Sequence, residues 1–158
     1  MYIIPKKSSK IYVLTRKERF LKIYDYITNK IYNIIYSTHA INIVIDDKND
    51  NIHIISPCHD GFVRIWDFDS AKLLIKNKIS NNGLLEALLW NSDYLIVGTR
   101  DNSIKLINLK RKKIIHSLNG HNNLVRTIKR INIPEYGECL ISQGLEIETI
   151  KLWKFKIK

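Results

Sequence analysis

A short segment recurs four times along this chain, and its spacing limits the possible folds more than any other feature. The copies are residues 20–26, 61–68, 103–109 and 149–155. The equivalent positions within them are Tyr24, Trp66, Ile107 and Trp153, which are about 42, 41 and 46 residues apart. A period in the low forties is typical of chains that stack copies of one small β-sheet.

Each repeat divides into four short strands that polar turns separate. The predicted strands are 40–45, 52–55, 62–68 and 73–79 in the second repeat, and 84–90, 94–98, 103–109 and 114–118 in the third. Between the middle two strands of the second repeat, the pair Asp60-Gly61 is a strong hairpin signal. Short segments rich in β-branched residues, separated by regular turns, predict an all-β fold.

Length, cysteine content and hydropathy are those of an intracellular globular protein. The chain has 158 residues, of which 45% are hydrophobic, enough for one domain with a core. Its two cysteines, Cys58 and Cys139, cannot build a disulfide framework, which fits a reducing compartment. No apolar run reaches the roughly 18–20 residues that span a bilayer, and the N-terminus lacks a signal-peptide pattern. We therefore expect a cytoplasmic or nuclear protein without a membrane span.

The charge is strongly positive, and two explanations remain open. The net charge is +11 and the isoelectric point is near 9.7, which favours contact with nucleic acid. The lysines, however, are scattered along the chain, and abundant Ile, Asn and Lys are typical of an AT-rich genome. The densest basic run, residues 110–113, is either a phosphate contact or a solvated turn between strands.

The sequence contains no pattern of a catalytic or metal-binding site. Its six glycines do not form a phosphate-binding loop, and it has no Gly-x-Ser-x-Gly nucleophile motif. The five histidines are dispersed, and the acidic cluster in residues 46–50 is interpreted as a solvated turn. We therefore predict a non-enzymatic protein that needs no cofactor and no metal ion.

The repeats resemble those of the WD40 family, whose units end in a Trp-Asp pair like Trp66-Asp67. The resemblance implies four-stranded antiparallel sheets arranged as the blades of a β-propeller. The approximate blades are 1–36, 37–79, 80–118 and 119–158 of a single domain. In that family a His, a Ser or Thr, an Asp and the Trp form a structural hydrogen-bond network within a blade. In the second repeat the complete set is His39, Ser56, Asp60 and Trp66.

The other repeats match this network only in part. The fourth begins with His121 after a glycine and contains Ser142 and Trp153. The third has Ile107 in place of the Trp, so we predict that it lacks the network, and the first has no preceding His. The network has a physical reason: a buried indole N–H needs an acceptor, and a hydroxyl can accept from it and donate onward to an imidazole.

Four blades are fewer than the ring of about seven that most members of this family close, and the fourth repeat has no predicted outer strand. The expected fold is therefore a partial or oligomer-closed propeller. Three arrangements remain open: a homodimer that closes an eight-bladed ring, a chain that completes a partner's propeller, or a compact four-blade unit, which could be a fragment. An uncovered end would expose strand edges and apolar faces that favour aggregation.

The resemblance implies a protein-interaction scaffold that binds peptides or domains at the narrow top face of the propeller. The turns between second and third strands and the connections between blades gather there. The candidate interaction residues on these segments are Arg16, Lys17, Glu18, His59, Arg100, Asn102, Asn122 and Asn123. The alternative is a basic RNA-associated subunit of an RNA-processing or ribosome-assembly complex, whose binding should weaken steeply with salt.

Overall fold

The computed structural model describes residues 2–5, 11–17, 20–36, 44–46, 52–145 and 150–154. These residues form antiparallel sheets in which sequential strands are neighbours. The all-β fold predicted from the repeats is therefore confirmed. Within these ranges no helix is long and apolar enough to cross a membrane.

The first two blades are four-stranded sheets in which the strands follow one another in chain order. The strands of the first blade are β1 (Tyr2–Pro5), β2 (Ile11–Lys17), β3 (Phe20–Asp25) and β4 (Ile31–Tyr36). Those of the second are β5 (Val44–Asp46), β6 (His53–Pro57), β7 (Phe62–Asp67) and β8 (Leu73–Lys78). Residues 40–43, which belong to the predicted first strand of the second blade, lie outside the described residues.

The third blade has the same order, and three strands of the fourth blade fall within the described residues. The strands of the third blade are β9 (Leu84–Asn91), β10 (Tyr94–Thr99), β11 (Ser103–Asn108) and β12 (Lys113–Asn119). Those of the fourth are β13 (Val125–Ile133), β14 (Gly137–Gly144) and β15 (Ile150–Trp153). The predicted strands of the third repeat agree with these bounds to within one residue, because alternation and turn signals are clearest there.

Each blade has two edges, and the repeated Asp or Asn after the aromatic position shapes one of them. We call the lower edge the one that carries the turns between the first two and the last two strands of each blade. There, the side chains of Asp25, Asp67 and Asn108 each accept a hydrogen bond from the backbone N–H three residues further on, at 2.9, 2.8 and 2.8 Å. These short polar side chains close the turn before the fourth strand, which explains why such a residue recurs.

The opposite, upper edge carries the turns between second and third strands and the connections between blades. In the second blade this turn is closed by the Cys58 N–H, which donates to Phe62 O at 3.0 Å, and Gly61 occupies the left-handed region with φ of 79°. A Cβ atom at Gly61 would lie 1.9 Å from Ser80 O, so the close approach of the next connection requires glycine. In the third blade Asn102 occupies the equivalent position with φ of 63°.

The core consists of three clusters, each between one blade and the next. Ile4, Leu14 and Leu21 of the first blade pack against Trp66 and Phe68 of the second. The second cluster places Ile107 of the third blade against the second, and the third places Trp153 of the fourth blade against the third. In the second, third and fourth blades the repeated position thus packs against the preceding blade, which explains the apolar requirement there.

Candidate interaction surface

The fourth blade contains a hydrogen-bonded chain of three side chains. Trp153 Nε1 donates to Ser142 Oγ at 2.7 Å, and Ser142 Oγ lies 2.7 Å from His121 Nε2. Because the hydroxyl accepts from the indole, its own proton is available for Nε2, which assigns the imidazole proton to Nδ1. His121 and Ser142 are buried, and His121 lies at the connection from the third blade.

The surroundings of the His121 imidazole favour its neutral form. Burial and, to a smaller extent, the charge of Lys151 lower the pKa of His121 below its ordinary value. Its Nδ1 atom has no hydrogen-bond partner among the described residues. The turn that would supply an acidic partner in the fourth blade includes residues 146–149, which are outside them.

In the second blade the corresponding residues have other partners. Asp60 binds Arg64 through both carboxylate oxygens, at 2.9 and 2.5 Å. Ser56 is buried and donates to the Pro57 carbonyl at 3.3 Å, and no described hydrogen bond joins it to the buried Trp66. The predicted member His39 lies outside the described residues, so the complete set proposed from the sequence stays a prediction for this blade.

The third blade has a polar network of a different kind, centred on the carboxylate of Asp101. Its Oδ1 accepts hydrogen bonds from the hydroxyls of Thr99 and Ser103, the latter at 2.5 Å. Its Oδ2 accepts from Ser80 Oγ at 2.9 Å and from Lys105 Nζ at 3.0 Å. That this blade lacks a Trp-type network stays a prediction, and sequence reasoning did not foresee the network around Asp101.

This network keeps the carboxylate of Asp101 ionised. Burial opposes its ionisation, but the hydrogen bonds from Ser103, Thr99, Lys105 and Ser80 outweigh that cost and lower the pKa of the carboxyl. Ser80 belongs to the connection from the second blade, so the network ties that connection to the turn between β10 and β11. Ser80 precedes the first strand of its blade, as His121 does in the fourth blade. This shared position was the signal in the sequence for a polar contact from the connection.

The predicted interaction residues lie on the upper edge wherever the structure describes them. His59, Arg100 and Asn122 are exposed, while Asn102 and Asn123 are partly buried. The exposed Arg16 is near the end of β2, next to the equivalent turn of the first blade. Lys17 is the last residue of β2, and Glu18 lies outside the described residues.

Backbone hydrogen bonds join the second and third blades along this edge, and one side-chain hydrogen bond joins the third blade to the connection that leads to the fourth. The Leu84 N–H donates to Cys58 O at 3.1 Å, and the Arg100 N–H donates to Gly83 O at 2.9 Å. Asn102 Nδ2 donates to Asn122 O at 3.4 Å, which connects the third blade to the start of the fourth. The upper turns of the second and third blades and the connections that follow them are therefore linked into one surface.

No metal site interrupts this surface or any other part that the structure describes. Among the described residues, no group of three His, Cys, Asp or Glu side chains is placed to hold a metal ion. Cys58 and Cys139 are both buried and unpaired by disulfide. Burial raises the pKa of the Cys58 thiol, which opposes formation of the reactive thiolate.

Solved structures share this architecture. The WD40 repeats of RRP9 superpose with a TM-score of 0.75 at 15% sequence identity, over 97% of this chain and 47% of that one. The chain has the WD40-type propeller fold. A computationally designed protein, Ika4, superposes with a TM-score of 0.69 at 15% identity, over 93% of this chain and 86% of the designed one.

The sequence relatives of this chain are much longer proteins. The U3 small nucleolar RNA-associated protein 21 homolog of Schizosaccharomyces pombe is 24% identical over 106 residues, which are 66% of this chain and 11% of that protein. A probable coatomer subunit beta' of the same organism is 27% identical over 122 residues, which are 75% of this chain and 15% of that protein. No family model matches the chain. The chain thus spans a small part of the curated relatives it matches.

Proposed function

We propose that this chain is a non-enzymatic scaffold that binds protein partners along the upper edge of its blades. The observation that carries the proposal is that His59, Arg100, Asn102 and Asn122 lie on turns and connections that hydrogen bonds hold together. Residues on rigid turns lose little conformational entropy when a partner binds. A surface of this kind suits recognition of a protein segment.

The chemistry of the upper edge favours partners with carboxylate and carbonyl groups. The Arg100 guanidinium can bind a carboxylate through two parallel hydrogen bonds, and asparagine amides can pair with an extended backbone. Arg100 is exposed at a tip, and its backbone N–H is already bonded to Gly83. We expect an extended, acidic peptide segment as the preferred partner.

The test compares charge reversal at the upper and lower edges. Proteins that the purified chain captures from an extract of its own cells are quantified by mass spectrometry for the wild type, Arg100→Glu and Arg111→Glu. Arg111 is exposed on the lower edge, so it controls for the same change of charge. We expect partners to be lost with Arg100→Glu and kept with Arg111→Glu. Equal loss in both variants would contradict the upper-edge proposal.

We further propose that two copies of the chain pair through those faces of their first and fourth blades that no described residue covers. In the second, third and fourth blades, the repeated residue on the third strand and its paired residue on the second strand pack against the preceding blade. In the first blade the equivalent pair, Val13 and Tyr24, has no preceding described blade. Ile3 lies beside Val13 on β1 and is 64% exposed.

The outer face of the fourth blade, the one that points away from the third blade, also carries apolar side chains. Ile96 and Leu106 of the third blade form a strand pair that packs against the fourth blade. Their equivalents in the fourth blade, Ile141 and Leu152, also pair, and Leu152 is 47% exposed. In the dimer, the first blade of one copy would pack against the fourth blade of the other. This contact would resemble the contact between adjacent blades of a single copy. Closure as an eight-bladed homodimer would bury both faces.

Solution mass tests this pairing. Light scattering after size exclusion should give twice the 18.6 kDa of one chain for the wild type. Leu152→Glu should give a single chain, since it places a charge in the proposed interface, while Ile115→Glu on the exposed strand β12 should leave the dimer intact. A monomeric wild type would overturn the homodimer and leave completion of a partner's propeller, or a self-sufficient unit, as the alternatives.

A second candidate function is RNA association, and one cluster of charges favours it. The amino groups of Lys76 and Lys78 lie 4.7 and 4.6 Å from the centre of the Phe62 ring, and the Arg64 guanidinium lies 5.4 Å from it. Both lysines are exposed on β8 of a chain with a net charge of +11. The relative named for association with a small nucleolar RNA gives independent support.

Salt dependence separates RNA binding from peptide binding. Anisotropy of a labelled single-stranded RNA, measured between about 50 and about 200 mM salt, should show a steep loss of affinity if lysines contact phosphates. The Lys76→Glu/Lys78→Glu variant should weaken binding more than Lys112→Glu/Lys113→Glu, which changes the charge equally at the lower edge. Equal weakening would indicate nonspecific attraction and would reject a site at Phe62.

A further inference from the structure

A half-open cavity lies at the lower edge between the second and third blades, opposite the proposed interaction surface. Its volume is about 220 Å³, which is below the roughly 300–1,000 Å³ of sites for drug-sized ligands. It is lined by side chains from both blades: Asp46, His53, Ile55, Ile65, Leu74, Ile75, Ser92, Leu109 and Lys110. A space of this size suits one side chain of a partner better than a cofactor.

Two buried polar atoms in this lining have no hydrogen-bond partner among the residues that the structure describes. They are Asp46 Oδ1, at the end of β5, and Ser92 Oγ, in the turn after β9. Buried carboxylate and hydroxyl oxygens are almost always paired, because an unpaired polar atom loses its hydration without compensation. The two atoms come from different blades and line the same cavity. They therefore provide acceptors for a group that enters it.

Within the described part of the chain, no charged group around the cavity forms an ion pair with the Asp46 carboxylate. Lys110 Nζ is 2.9 Å from Asp93 Oδ1 and is bound there. Asp67, which faces His53 across the strand pair, is hydrogen-bonded to Ser70. Although the net charge of the chain is +11, the Asp46 carboxylate makes this cavity suitable for a cationic group.

We propose that this cavity binds an arginine side chain of a protein partner. A guanidinium presents several donors in one plane and can bond to the Asp46 carboxylate and the Ser92 hydroxyl together. Its aliphatic stem would pack on the apolar wall formed by Leu74, Ile75 and Leu109. The site is independent of the upper edge, so the scaffold would hold partners at both edges.

The binding test uses capped tripeptides and the whole chain. The peptide acetyl-Gly-Arg-Gly-amide is titrated into the isotope-labelled protein, and the amide NMR signals of Asp46, Ser92 and Leu109 are followed. Citrulline in place of arginine keeps the shape and removes the charge, and norleucine keeps only the stem. We expect the arginine peptide to shift these signals and to bind at least about fivefold more tightly than the citrulline peptide. Equal binding of the two would overturn the proposal.

Variants locate the binding to the two unpaired atoms. Asp46→Asn should weaken the arginine peptide roughly tenfold and Ser92→Ala roughly threefold, because each removes one hydrogen-bond acceptor. Asp69→Asn is the matched control, since Asp69 is exposed after β7 and lies outside the cavity lining. Signal dispersion in the same spectra verifies that each variant is folded. Unchanged affinity in both Asp46→Asn and Ser92→Ala would reject the site, and so would shifts confined to the upper edge.

Discussion

In the third and fourth blades, different hydrogen-bond networks join the connection from the preceding blade to the region of the second strand. In the fourth blade a neutral chain from Trp153 through Ser142 to His121 makes the connection. In the third blade an ionised carboxylate, Asp101, collects donors from two hydroxyls of its own blade, one hydroxyl of the connection and one lysine. The same architecture therefore tolerates a change from a neutral to a charged network.

The largest expected effect comes from removing the centre of the charged network. Asp101→Ala leaves Lys105, whose side chain is 16% exposed, without its anion and leaves three hydroxyls without their shared acceptor. We expect the free energy of unfolding to fall by about 2–4 kcal/mol, measured by urea denaturation. Asp93→Ala is the control, since it breaks an exposed ion pair with Lys110 and should cost less than about 1 kcal/mol. Equal costs would show that the network contributes no more than a surface pair.

Removing the centre of the neutral network should have a smaller effect. Ser142→Ala leaves the Trp153 indole N–H and the His121 Nε2 atom without a partner, but no charge becomes unpaired. We expect a loss of about 1–3 kcal/mol in the same urea experiment, against almost none for Ser117→Ala on the exposed strand β12. If Ser142→Ala costs more than Asp101→Ala, the ranking of the two networks is wrong.

Sequence reasoning succeeded where the pattern is local and failed where two blades meet. The strands of the third blade and the approach of His121, Ser142 and Trp153 follow from the period and from residue types at fixed positions. The network predicted for the second blade stays a prediction, because His39 lies outside the described residues. The cavity at Asp46 depends on how two blades stack, which no single repeat encodes.

Mild acid should weaken the fourth blade before the third. The folded-state pKa of His121 is below its ordinary value of 6.5, so its contribution to stability is present above about pH 6.5 and is lost as the pH falls. The pKa of Asp101 is lowered from 3.8, so its contribution is lost only at much lower pH. Hydrogen exchange at pH 7.5 and 5.5, corrected for the intrinsic rates, should show less protection in β13 and β14 at the lower pH, and little change in β10 and β11. His121→Gln should remove this difference, and its persistence would assign the effect to other groups.

The smallest expected effect tests whether the charged network needs its lysine. Lys105→Met removes the cation but keeps the apolar stem, and Asp101 retains its hydrogen bonds from Thr99, Ser103 and Ser80. Because hydroxyl donors still satisfy the carboxylate, we expect a loss of about 1 kcal/mol or less in urea denaturation. Combining Lys105→Met with Asp101→Asn in a double-mutant cycle measures the coupling of the pair directly. A loss as large as that of Asp101→Ala would mean that the ion pair with Lys105, and not the three hydroxyl hydrogen bonds, provides most of the stability of the charged network.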